Sequence, residues 1–250
     1  MEKTLTALRE QLGRNPENAE LWLELGLELA ESGQRYEAVE AFSMGLSHAP
    51  MSHALLLARG RRHISLRRYA EALADTAAAA ALEPNSFDNW YYQGVACCLL
   101  EDYARAAEAM GRCLPIAEES EPEMLWPITA WLWLINMRAG RKDEAAAVLG
   151  KVDENAPAPA MAPSYKKIVL LYKGLATPEG FIDEGMLSGG DERAPLYYIT
   201  ETYCLSNYLY LNGDVGAAND LLLRLKEVTG GRHAFAYLLA EQDMRRRGLG

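Results

Sequence analysis

A 34-residue register runs through the front of the chain and constrains its fold more than any other feature. Laid in rows of 34, the sequence aligns Gly26 with Gly60 and Gly94, Ala38 with Ala72 and Ala106, and Pro16 with Pro50 and Pro84. Around these columns the apolar residues recur at i, i+3/4 and i+7, as in Trp22, Leu25 and Leu29 or in Trp90, Gly94 and Cys97. That spacing is the buried stripe of an amphipathic helix. A second helix follows in each row, opening near Tyr36, Tyr69 or Tyr103 and carrying the small residue Ala38, Ala72 or Ala106. Two helices packed antiparallel need small residues where their backbones approach, which Gly26 facing Ala38 would provide. Pro50 and Pro84 cannot continue a helix and so end each unit.

Repeated helix pairs bury their apolar faces only by stacking on one another. The predicted fold is therefore all-α, an α-solenoid of antiparallel helix pairs. A lone helix within 2–14 precedes three full units at 19–52, 53–86 and 87–120. A fourth is expected at 126–159, with Gly140 at its turn and Ala145 at its small position; Trp133 replaces its other small residue and should splay the pair. These elements make up a first part, residues 1–156. The second part, 157–250, starts in the proline-rich stretch 153–164 (DENAPAPAMAPS), where a bend is expected. A degenerate pair follows: one helix from Tyr165 to about Leu175, the next starting at Thr177-Pro178-Glu179, with Thr as cap and Pro at the first position. A further unit at 199–232 turns at Gly213-Asp214, and 233–248 reads as a polar capping helix.

The stretch LWLELGLELAESGQRYEAVEAFSMGLSHAP, with Trp22, Leu25, Gly26, Ala38, Phe42, Gly45 and Pro50, resembles the tetratricopeptide repeat. The resemblance implies a right-handed superhelix that works as an adaptor, scaffold or co-chaperone. The layout, three regular repeats, a proline-rich turn, an irregular pair and another repeat, is similar to that of bacterial tetratricopeptide adaptor lipoproteins that dock cell-wall hydrolases, although the start MEKTLTALREQL has no lipid-attachment cysteine. The chaperone-binding subclass of the family grips a terminal carboxylate with Lys and Asn in columns that hold Leu23, Leu27 and Ala58 here, so that clamp is absent.

In such a stack the first helix of each pair lines a concave groove, and residues one, four and eight positions after its start point into it. The predicted partner-binding residues are Leu23 and Leu27 from the first unit, Leu57 and Arg61 from the second, Tyr91 and Val95 from the third, and Tyr203, Asn207 and Tyr210 from the 199–232 unit. Leucines, tyrosines and an arginine supply apolar area and a few orienting hydrogen bonds, which is what a peptide or helix in a groove requires. The same residues also suit self-association, so a homodimer is the competing use of this wall. Arg59, Arg61, Arg62, Arg67 and Arg68 form one basic cluster, read either as a solvated turn or as a site for an acidic peptide; Arg67 and Arg68 fit the first reading and Arg61 the second.

Composition narrows the function classes. Lys and Arg number 25 against 35 Asp and Glu, a net charge of −10, which argues against nucleic acid as the main partner. Residues 1–125 carry 11 of the basic and 20 of the acidic residues, so the front repeats hold the acidity. No apolar run reaches the roughly 18 residues of a membrane span. Cys97, Cys98, Cys113 and Cys204 show no CxxC pair; Cys97 and Cys113 fall in packing columns, with Cys98 more exposed, and a reducing, cytoplasmic location is expected. His48, His53, His63 and His233 lack ligand spacing, and no HExxH, phosphate loop or GxSxG elbow occurs, so neither metal, cofactor nor catalytic residue is assigned. The alternative function is a regulator that senses a peptide or small ligand and changes curvature at 153–196; an enzyme sited in the irregular 160–196 pair is a third.

Overall fold

In the computed structural model, which describes residues 2–160 and 163–250, each inter-row boundary of the sequence becomes a capped helix start. α1 (Glu2–Arg14) leads into three pairs: α2 (Ala19–Glu31) with α3 (Arg35–His48), α4 (His53–Ser65) with α5 (Tyr69–Leu82), and α6 (Phe87–Leu99) with α7 (Tyr103–Gly111). Asn18, Ser52 and Ser86, spaced by 34, cap α2, α4 and α6 by accepting from backbone N–H groups of the first turn. The Trp and Pro columns are also explained. The Trp22 indole donates to the Pro16 carbonyl at 2.7 Å, and Trp90 donates to Pro84 at 2.8 Å.

The glycine column is required by close approach. A Cβ on Gly26 would lie 2.3 Å from the Phe42 ring, one on Gly94 2.4 Å from Met110 Cγ, and one on Gly60 2.8 Å from Thr76. The facing column is thus 42/76/110, whereas Ala38, Ala72 and Ala106 are fully buried beside it and bring their backbone close, the Ala72 and Ala106 carbonyls lying 3.4 Å from the would-be Cβ atoms of Gly60 and Gly94. Each turn between paired helices closes in the same way, by a six-to-one backbone bond across a residue in the left-handed region. Gln34 N–H reaches Leu29 O, Arg68 N–H reaches His63 O and Asp102 N–H reaches Cys97 O. The left-handed residues are Gly33, Arg67 and Glu101.

Two compact units are formed, residues 1–112 and 113–250. The third row contributes α6 and α7 to the first unit, while its end forms α8 (Cys113–Glu119) in the second. Pro115 accounts for the interruption, because its ring excludes the hydrogen bond and the space that the Gly111 carbonyl would need in a continuous helix. The second unit continues with α9 (Leu125–Arg138), α10 (Lys142–Val148), α11 (Ser164–Tyr172), α12 (Ala194–Leu211), α13 (Val215–Arg224) and α14 (Phe235–Arg246). The α9–α10 and α12–α13 turns repeat the left-handed closure at Gly140 and Gly213. Ser206 is the small residue facing Ala218, whose carbonyl it bonds at 2.8 Å.

Four details differ from expectation. No helix starts at Thr177-Pro178-Glu179; residues 177–193 are turns with one short 3₁₀ segment, Met186–Ser188, because Gly174 and Gly180 take positive φ and only Phe181 offers a buried apolar anchor before Ala194. Cys98 is as buried as Cys97 and Cys113. Trp133 is accommodated by stacking on Tyr172 at 3.8 Å. The closing helix α14 is no polar cap: Tyr237, Leu238, Leu239, Asp243 and Met244 are buried where it packs on α12 and α13. The bend expected at 153–196 includes residues 161 and 162, which lie outside the described residues.

Candidate functional site

α2, α4 and α6 lie side by side in the first unit, so one face of each contributes to a common wall. Leu23 and Leu57 are partly buried on it, their side chains resting on the core of Leu25, Leu29, Phe42 and Leu55. Leu27, in the middle of α2, is 45% exposed. Between α2 and α4 the wall dips into a recess of ≈ 220 Å³ lined by Leu27, Ala30, Glu31, Phe42, Ala58, Arg61 and Arg62.

On the far side of α4 the Arg61 guanidinium lies over the Tyr92 ring, 4.7 Å from its centroid. Tyr92 stands edge-on to Tyr91 at 5.3 Å, and Tyr91 stacks on Phe87 at 5.9 Å with 16° between the planes. The α4–α6 side of the wall is therefore an aromatic platform held by a cation–π contact. Arg61 and Arg62 bring positive charge to it, and Asp88 acts on Tyr92 with the opposite sign. Burial lowers the pKa of Arg62, the neighbouring Arg61 and Arg35 charges act in the same sense, and Tyr92 opposes them. Burial raises the pKa of the Tyr92 phenol, and the Arg61 charge opposes the shift. Behind the wall, Arg59 is fixed by two bonds to Asp75, at 2.8 and 2.7 Å, and by a third to Ser43 at 3.1 Å, which ties α3, α4 and α5 together.

Of the nine predicted residues, the structure brings Leu23, Leu27, Leu57, Arg61 and Tyr91 together on this wall. Val95 is 2% exposed and belongs to the interior, one turn beyond the platform. Tyr203 and Asn207 also move from the expected groove to the interior. They are 0% and 1% exposed because the closing helix covers their face of α12: Tyr203 donates to Asp243 at 3.2 Å, and Asn207 donates to the Tyr203 carbonyl at 3.0 Å while accepting from Arg138. Tyr210, at the end of α12, remains at the surface under the Arg247 guanidinium, 3.8 Å from its ring centroid.

Sequence reasoning missed Tyr92 and Ala30, and named Arg62 only as a member of the basic cluster. The signal that could have found them is diagonal: Arg61 meets Tyr92, and Leu27 shares its recess with Ala58, each pair one helical turn short of the 34-residue repeat. Adjacent repeats are staggered, so columns alone misplace the neighbours.

The second unit holds another hollow, ≈ 260 Å³, lined by Lys167, Tyr197 and Glu201 among others. Glu201 is buried and accepts from Ser164 at 2.8 Å and Lys167 at 2.9 Å, an arrangement that links α11 to α12. Its acceptors are occupied from within. Among the described residues no group of three His, Cys, Asp or Glu is placed to hold a metal ion, and no helix is long and apolar enough to cross a membrane. Burial pushes the Cys97 thiol up to about 11 and the Cys204 thiol up to about 12, so neither is poised as a nucleophile at neutral pH.

Comparison with known proteins places the fold. No protein-family model matches the sequence. A 73-residue stretch is 33% identical to a protein SGT1 homolog of Oryza sativa subsp. japonica, covering 29% of this chain and 20% of that protein, so the match spans about one fifth of the curated relative. Among solved structures, a crystal structure of MamA superposes with a TM-score of 0.53 at 21% identity, covering 59% of this chain and 83% of the other. A MamA fragment, 41-end, from Desulfovibrio magneticus RS-1 gives 0.53 at 24% identity over 60% of this chain and 82% of the other. A third MamA structure gives 0.53 at 20% identity and covers 69% and 86%. With the capped, paired and glycine-registered helices, these likenesses identify the fold as an α-solenoid of tetratricopeptide type.

Proposed function

We propose that the chain is a non-enzymatic interaction module, an adaptor or scaffold that holds a peptide or helical segment of another protein against the α2–α4–α6 wall. The observation that carries this reading is the combination on one face of an exposed leucine, a recess beside it and an aromatic platform clamped by Arg61. These are the ingredients of an anchor site, an apolar pocket for one side chain with rigid aromatics and an arginine around it. Leu23, Leu27, Leu57, Arg61 and Tyr91 form its proposed contact surface, with Arg62 and Tyr92 beside them. The tetratricopeptide-type fold supports the same reading. The four buried thiols fit a reducing compartment, and we place the protein in the cytoplasm.

The test is affinity capture from lysate of the source organism with the parent chain and a Tyr91→Ala/Arg61→Glu variant whose helicity by circular dichroism is unchanged. A partner present with the parent and absent with the variant supports the wall as the binding face. A partner retained equally by both contradicts it, and capture of the chain alone would make the wall a self-association surface.

A further inference from the structure

The five arginines of the 59–68 segment meet different fates. Arg59 closes on Asp75, Arg67 donates to the Ser65 carbonyl at 3.0 Å, and Arg68 lies over the Tyr36 ring at 5.6 Å. Arg61 lies over Tyr92. Arg62 faces the recess with the like charges of Arg61 and Arg35 acting on it. Among the described residues, none of Arg35, Arg61 and Arg62 forms an ion pair, and Glu31 on the recess rim reaches neither guanidinium. A partly buried cation without a counter-charge costs stability, and more so beside two others. The chain does not lack acids to offset it, since residues 1–112 hold 16 Asp and Glu against 11 Lys and Arg. Apart from Glu31 on the rim, none of them lines the recess; Glu20, Glu24 and Glu28 run along α2 at four-residue spacing.

We infer that the α2–α4 recess receives an acidic peptide segment, in which an aliphatic side chain of leucine size fills the pocket formed by Leu27, Ala30, Phe42 and Ala58 while a neighbouring Asp or Glu is held by Arg62. This deepens the interaction reading above and rests on it. The carboxylate supplies the charge that the fold withholds, and the planar guanidinium can take both its oxygens. Arg61 and Arg35 reinforce the field at Arg62. A nucleic acid fits this surface poorly, because its phosphates would extend from one cationic spot into acidic surroundings.

The experiment is selection of a random 16-residue peptide library displayed on phage against the full chain, followed by binding of the enriched peptides by fluorescence anisotropy. The expected sequences carry Leu, Ile or Met within a helical turn of Asp or Glu. Changing that Asp or Glu to Asn or Gln weakens binding to the parent chain at least tenfold, a comparison that needs no protein variant. Arg62→Gln weakens the acidic peptide to a similar extent and leaves the amide peptide unaffected. Equal binding of acidic and amide peptides overturns the inference. If such peptides still lose binding with Tyr91→Ala, the wall stands as the site and only its acidic preference fails; if they bind Tyr91→Ala as tightly as the parent, the interaction reading fails too. No enrichment at all overturns both.

Discussion

Glu101→Gly should stabilise the protein, although it removes a charged side chain and adds the most flexible residue. Glu101 takes a φ of 62° at the α6–α7 turn, where the equivalent turns of other pairs have Gly33, Gly140 and Gly213. A residue with a Cβ in the left-handed region costs about 1–2 kcal/mol, and glycine returns about 0.5–1 kcal/mol through the entropy it loses on folding. Glu101 is exposed and, among the described residues, makes no side-chain hydrogen bond or ion pair, so nothing else is forfeited. Its charge sits between the negative end of α6 and the positive end of α7, and the two dipole contributions oppose each other. The net gain is about 0.5–1 kcal/mol, read as a higher urea midpoint at unchanged slope. Gly33→Ala at the corresponding turn should move the midpoint down by a similar amount. A Glu101→Gly protein that is equally or less stable than the parent would refute the account of the turns as one repeated left-handed closure.

Three further outcomes follow from the buried polar groups. Asp243 is 1% exposed and receives Arg138, Arg246 and Arg247, so Asp243→Ala should cost about 3–5 kcal/mol, and a urea midpoint within error of the parent would contradict that role. His63 is 8% exposed, with its pKa lowered first by burial, against the pull of Asp75. The unfolded chain then binds a proton that the folded chain resists, so stability is intact above about pH 6.5 and falls as pH drops from there towards the folded value; His63→Gln should lose less stability than the parent between pH 7 and 5.5, and parallel losses would contradict this. The raised thiols of Cys97 and Cys204, and the burial of Cys98 and Cys113, predict that a disulfide reagent at pH 8 labels the native chain slowly and all four cysteines on unfolding; fast labelling of any of them in the native chain would show that its site opens.

The front of the chain was legible because its columns are local in sequence. Pro, Trp, Gly and Ala at fixed spacing each answer a need inside one helix pair, and the lone helix before them ends where Pro16 requires. What periodicity could not show is which face a later helix will cover. Tyr203 and Asn207 occupy the columns of groove residues, yet α14 returns across α12 and buries them, a contact between segments about forty residues apart with no counterpart in the repeat. The stagger between neighbouring repeats was hidden for the same reason, so Arg61 was foreseen and its aromatic seat on Tyr92 was not. At 177–193 a Thr-Pro-Glu start was outweighed by the lack of an apolar stripe to hold a helix against anything.

The central claim, that the α2–α4–α6 wall is the contact face, is tested most directly by photo-cross-linking. Benzoylphenylalanine placed singly at Leu27, Leu57 or Tyr91 should cross-link the captured partner or selected peptide. The same probe at Tyr36, Met44 or Met51, exposed positions on α3 and the turn after it, should not. Cross-links from Tyr36, Met44 or Met51 and none from the wall would contradict the account.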